Sequence, residues 1–152
     1  NIPEAVINEE KTVLGTDGRK MSKSYNNIIP LLSGEDELKK SVMKIITNSQ
    51  EPGEKKEWED NILSSIYSSF ADEKSIKELQ NKFSDGIGWG DAKKIVFEDL
   101  NKLLTPIREK HAELKSKENY LEEILQSNAK KVRAFTKPLL EEVKSSIGIS
   151  KF

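Results

Sequence analysis

From Ser33 onward, apolar residues recur every three or four positions, and this spacing restricts the fold more than any other property of the chain. Leu38, Val42, Ile45 and Ile46 share one stripe and predict a helix over 35–47. Trp58, Ile62, Ile66 and Phe70, joined by Leu63 and Tyr67, predict a second over 56–71. Ile76, Leu79 and Phe83 predict a third over 73–84. A long fourth helix, capped by Asp91, carries Ile95, Val96, Leu100, Leu103, Leu104, Ile107 and Leu114. Tyr120, Leu121, Ile124 and Leu125 suggest a short fifth. Ala129 to Ile147 forms a long sixth that Gly148 stops. Pro106 and Pro138 fall inside the two long stripes, which stay in phase across them. Continuous, kinked helices are expected there, the alternative being a break at each proline.

The first 31 residues differ. Ala5-Val6-Ile7 and Thr12-Val13-Leu14-Gly15 read as strand ends, the tail of an α/β fold. Leu31-Leu32-Ser33-Gly34-Glu35 reads as a boundary, with Ser33 as the N-cap candidate. The fold class is therefore mostly α, preceded by the end of an α/β domain, with a division at 31/32. Charged residues make up 34% and apolar ones 35%, as suits amphipathic helices. No apolar run reaches membrane-spanning length. Without Cys, disulfides and thiolate metal sites are excluded, and one His excludes a His-rich zinc site. Residues 1–87 hold 12 Lys and Arg against 16 Asp and Glu, whereas residues 88–152 hold 13 against 10. A basic second half suits a phosphate-backbone partner, but so small an excess, taken alone, favours an ordinary solvated surface.

The chemistry concentrates in Asp17-Gly18-Arg19-Lys20-Met21-Ser22-Lys23-Ser24. Asp17-Gly18 signals a turn beyond a strand, where α/β folds bind ligands. Arg19, Lys20 and Lys23 bring three cations, and Ser22 and Ser24 bring hydroxyls that donate to phosphate or cap the next turn. By charge alone this is either a polyphosphate grip or a solvated surface turn. Lys20 to Ser24, read as KMSKS, decides between them. With Gly15-Thr16-Asp17-Gly18-Arg19 before it and Tyr25-Asn26-Asn27-Ile28-Ile29-Pro30-Leu31 after it, the string resembles the second ATP motif of class I aminoacyl-tRNA synthetases. Further pieces resemble the bacterial tryptophanyl branch of that family: the segment Lys40 to Ser49, Gly88-Trp89-Gly90-Asp91-Ala92-Lys93-Lys94, and Leu104-Thr105-Pro106-Ile107-Arg108-Glu109.

The resemblance implies a Rossmann-like remnant over 1–31 ending in the ATP loop, then a helical anticodon-binding domain over 32–152. It implies a tryptophan–tRNA ligase using ATP with Mg2+, tryptophan and tRNA(Trp), cytoplasmic and dimeric as the parent enzyme, with no membrane partner. Lys23 would bind the pyrophosphate moiety and Lys20 would assist, these two being the catalytic pair. Val13, Met21, Ser22 and Ser24 would complete the ATP contacts. The first ATP motif, HIGH or a variant, is missing, since the one His is His111. The chain is therefore expected to be a C-terminal fragment, inactive alone, whose ATP loop has nothing opposite to hold it. Candidate tRNA contacts are Lys93, Lys94, Arg108, Lys130, Lys131 and Arg133, with Lys137 beside them. A stand-alone RNA-binding module and a tyrosyl-tRNA synthetase fragment are the rival readings. Gly86 to Asp91 is either an anion site at a helix start or a tight turn buried by Trp89. His111 reads as structural, and Trp58 and Trp89 as core anchors.

Overall fold

Among the described residues, five α-helices form along the apolar stripes: α1 Glu35–Met43, α2 Ile62–Ser68, α3 Glu73–Ser84, α4 Trp89–Lys115 and α5 Glu118–Ser146. They are seen in a computed structural model, which describes Glu4 and residues 12–149. Ala5-Val6-Ile7, read as a strand end, lies outside the described residues. Among those described, β pairing is limited to an antiparallel bridge between Leu14 and Lys20.

Local hydrogen bonding explains where helix ends depart from the periodicity. α1 stops at Met43 rather than 47, because the Ile45 N–H turns to the Val42 carbonyl and that of Ile46 leaves for Thr16 (2.8 Å). Its N-cap is Gly34; the Ser33 hydroxyl donates to the Pro30 carbonyl instead, and Glu35, Asp36 and Glu37 complement the helix dipole. The second helix begins at 62, not 56. Lys56 donates its N–H to the Phe83 carbonyl, Asp60 takes a left-handed φ of 57°, and the Asn61 side chain caps by accepting from Leu63 and Ser64. α3 spans the expected range, capped by Asp72, whose carboxylate accepts from the Ser75 N–H.

α4 starts at Trp89, so Asp91 lies in its first turn, paired with Lys94, rather than at the cap. Both prolines lie within unbroken helices. The expected fifth and sixth helices are one: Gln126-Ser127-Asn128 is polar but holds no Gly or Pro, so crossing it costs little propensity. Gly148, at φ 77°, ends α5 in a Schellman motif, with Gly148 donating to Ser145 and Ile149 to Lys144.

Packing divides the chain after Arg108. Within residues 1–108, Leu38, Val42, Leu63, Tyr67, Leu79, Phe83, Ala92 and Val96 are buried. Trp58 and Trp89 meet Phe83 edge-on at 5.1 and 5.4 Å, which bears out both as core anchors. Gly86 ends α3 at φ 83° and presses on Gly53, whose N–H donates to its carbonyl (2.8 Å). This close approach needs a residue without Cβ. Lys56 is buried beneath it, its ammonium donating to the Glu51 and Glu54 carbonyls at 3.0 and 3.1 Å and lying 5.3 Å from the Trp89 ring centre. Within residues 109–152, α5 has no buried residue, and Phe135 on its apolar stripe is 79% exposed.

Candidate functional site

The cation-rich loop begins as a short hairpin. Gly15 donates to Arg19 (2.7 Å) and Met21 to Val13 (2.9 Å), while Gly18, at φ 80°, closes the turn by donating to the Gly15 carbonyl. The tip rests on the start of α2, where Gly18 meets the Ile62 side chain. Thr16 ties the base, donating to the Asn27 carbonyl (2.9 Å) and accepting from Ile46. From Ser22 the chain enters a 3-10 turn, Lys23–Tyr25, which Asn26 ends in a left-handed conformation at φ 52°. The Ser22 and Ser24 hydroxyls bond each other at 2.8 Å. Contrary to the expectation of a loosely held loop, the backbone is bonded along its length.

Most polar side chains of the loop are committed inside it. The Asp17 carboxylate accepts from the Asn27 amide (2.7 Å), from the Arg19 N–H and from its guanidinium (2.6 Å). The Asn27 bond, followed by those from Arg19, holds the Asp17 pKa down at about 2. Arg19 also stacks on the Tyr25 ring, 4.4 Å from its centre. Lys20 and Lys23 differ: both are exposed, and neither side chain has a partner among the described residues. Two ammonium groups thus project from a backbone that is itself fixed. A cleft of about 680 Å³ lies between the hairpin tip and α2, but neither lysine lines it.

A family model described as tRNA synthetases class I (W and Y) matches residues 1–105. The chain belongs to this family. It is 41% identical over 97% of its length to the tryptophan–tRNA ligase of Xanthomonas axonopodis pv. citri, covering 35% of that protein. It is 42% identical to the tryptophan–tRNA ligase of Neisseria meningitidis serogroup A, covering 97% of itself and 44% of the relative. A crystal structure of tryptophanyl-tRNA synthetase from Campylobacter jejuni, complexed with ADP and tryptophan, superposes with a TM-score of 0.87 at 39% identity. It covers 96% of this chain and 46% of that one. The chain therefore spans about a third to a half of the length of these synthetases, and its helices match a helical part of the synthetase fold.

The six residues read as tRNA contacts differ in how committed they are. Lys93 reaches the Met43 carbonyl at 3.3 Å, and burial lowers its pKa. Lys94 pairs with Asp91 at 2.9 Å, which raises its own. Arg108 is spent on the fold: its guanidinium donates to Asn101, to Thr105 (3.0 Å) and to the Ser33 carbonyl (3.4 Å). Lys130, Lys131 and Arg133 are exposed on α5. Of the Gly86–Asp91 segment, residues 86–88 are the tight turn joining α3 to α4 and the rest opens α4, where the Trp89 indole donates to Asn48 at 3.0 Å. His111 is exposed on α4.

Two residues escaped the sequence. Asn27, only 2% exposed, organises the loop from below, and Lys56 is a buried cation. Periodicity is blind to both, because each lies in irregular chain. The one available signal for Asn27 was a polar residue directly before the apolar pair Ile28-Ile29.

Proposed function

We propose that this chain is the part of a tryptophan–tRNA ligase that carries the KMSKS contacts to ATP and the tRNA-holding helices. Residues 1–31 serve the nucleotide, and residues 32–152 serve tRNA(Trp). In the whole enzyme the tryptophan carboxylate attacks the α-phosphorus of ATP. The bond to the bridging oxygen breaks, and pyrophosphate leaves with the negative charge. Lys23 neutralises that developing charge and Lys20 assists, with backbone and side chains of Val13, Met21, Ser22 and Ser24 against the nucleotide. Lysine suits the task because its compact charge follows a phosphate as it moves. The carrying observation is the contrast within the loop: Arg19 is neutralised by Asp17, whereas Lys20 and Lys23 stand exposed on a bonded backbone. The sequence KMSKS and the family membership support the same assignment.

Mg2+ enters with ATP as part of the substrate. Among the described residues no group of three or more His, Cys, Asp or Glu is placed to hold a metal ion. None of the helices described is long and apolar enough to cross a membrane. Of the six candidates, Lys130, Lys131 and Arg133 are left for the tRNA backbone, since Lys93, Lys94 and Arg108 are engaged within the chain. The test is ATP–pyrophosphate exchange by the full-length enzyme, run across amino acids. Exchange should depend on tryptophan, and Lys23→Ala should lower it by orders of magnitude with little change in tryptophan affinity, because the lysine acts on charge that develops only in the transition state. Unchanged exchange would remove Lys23 from the chemistry.

A further inference from the structure

We propose that Asn27 is a positioning residue for the reaction: it sets the direction of Lys20 and Lys23 without touching the nucleotide. The inference rests on the ATP-loop reading above. The Asn27 side chain is buried and spends both ends of its amide on the loop. Its Oδ1 accepts from the Ser22 N–H at 2.8 Å. Its Nδ2 donates to the Lys20 carbonyl at 3.2 Å and to the Asp17 carboxylate at 2.7 Å. The two backbone groups it holds lie on either side of Met21, so the peptide planes between the two lysines are fixed from below. Its own carbonyl holds Thr16 at the hairpin base. Gly15 makes the room: a Cβ there would collide with the Asn27 Cγ and Nδ2 and lie 2.7 Å from its carbonyl oxygen.

These bonds need an acceptor and an N–H donor on one short side chain. Aspartate has the same shape and accepts from Ser22, but it has no N–H for the Lys20 carbonyl and sets a second carboxylate against Asp17. Asn27→Asp is therefore a shape-conserving test. In the full-length enzyme it should lower kcat for tryptophan-dependent ATP–pyrophosphate exchange by about 10- to 100-fold, the usual cost of a misaimed group, and leave tryptophan affinity unchanged. Gly15→Ala, which displaces Asn27 from the opposite side, should do the same. Because Asn27 works through the lysines, adding Asn27→Asp to Lys23→Ala should produce far less than the product of the two separate losses. Fully multiplicative losses would overturn the inference, as would loss of tryptophan affinity in Asn27→Asp, which would mark a general fold residue. An impaired Lys23→Ala beside an unimpaired Asn27→Asp would overturn this inference alone. An unimpaired Lys23→Ala would instead overturn the ATP-loop reading beneath it.

Discussion

Replacing Gly86 by alanine places a methyl group 2.6 Å from the Gly53 carbonyl carbon and 2.7 Å from its oxygen. Two costs are involved, and the molecule supplies a control that separates them. Gly53 itself sits at φ 93°, close to the 83° of Gly86, but a Cβ there meets nothing within 4 Å. Gly53→Ala therefore measures the left-handed backbone alone, about 1–2 kcal/mol, less a few tenths returned by a stiffer unfolded chain. Gly86→Ala carries that cost and adds a clash with backbone, which cannot rotate aside as a side chain would. Overpacking of this kind costs about 1–3 kcal/mol. The 2.8 Å bond from the Gly53 N–H to the Gly86 carbonyl is also lost, about 1 kcal/mol net. The expected totals are about 1 kcal/mol for Gly53→Ala and about 3–5 kcal/mol for Gly86→Ala. A urea titration of the 152-residue chain, followed by fluorescence of Trp58 and Trp89, reads both. With a slope near 2 kcal/mol per molar, the midpoints should separate by about 1–2 M. Equal shifts at equal slope would refute the claim that these two backbones touch.

The Asp17 carboxyl, followed by NMR, should titrate near pH 2, and Asn27→Ala should raise that midpoint toward the ordinary value, since the Asn27 bond is the largest cause of the depression. A depressed pKa means that the tether is complete above the unfolded value of 3.8 and is lost as pH falls through about 2; a midpoint near 3.8 in the unaltered chain would contradict the geometry. Lys56→Met keeps the buried stem but strips donors from the Glu51 and Glu54 carbonyls, and should destabilise the chain by about 1–3 kcal/mol in the same urea assay. Full stability would show that the cost of burying the ammonium cancels its bonds. Replacing Lys130, Lys131 and Arg133 together by alanine should weaken tRNA binding to the full-length enzyme and flatten its log–log salt dependence by about 2. An unaltered slope would take that patch out of the interface.

Helix α3 was legible in full because both its signals are local: Asp72 caps it, and Gly86 ends it. The periodicity starts the second helix six residues too early. The apolar character of Trp58 counts toward a helical stripe, yet its ring serves the core from irregular chain, and the stretch before Asn61 spends its backbone on Phe83 and on turns. The periodicity divides the last helix in two for the opposite reason. A polar interval looks like a loop even when nothing in it opposes a helix. At the candidate site, the cations could be read from composition and motif. Which of them were already neutralised could not: the Asp17 pairing that occupies Arg19 depends on the turn folding back, and Asn27 reaches Asp17 across ten positions.

That last contact has a consequence for the length of the loop. The segment from Asp17 to Asn27 is a closed ring, joined at its ends by one side-chain bond and braced inside by bonds from Asn27 to residues 20 and 22. A ring so braced counts its members. One residue inserted between Gly18 and Ser22 adds to the loop without deleting any of its side chains, yet brings the wrong peptide planes to Asn27. The length of the ring is thus held by Asn27 independently of the chemistry its lysines carry.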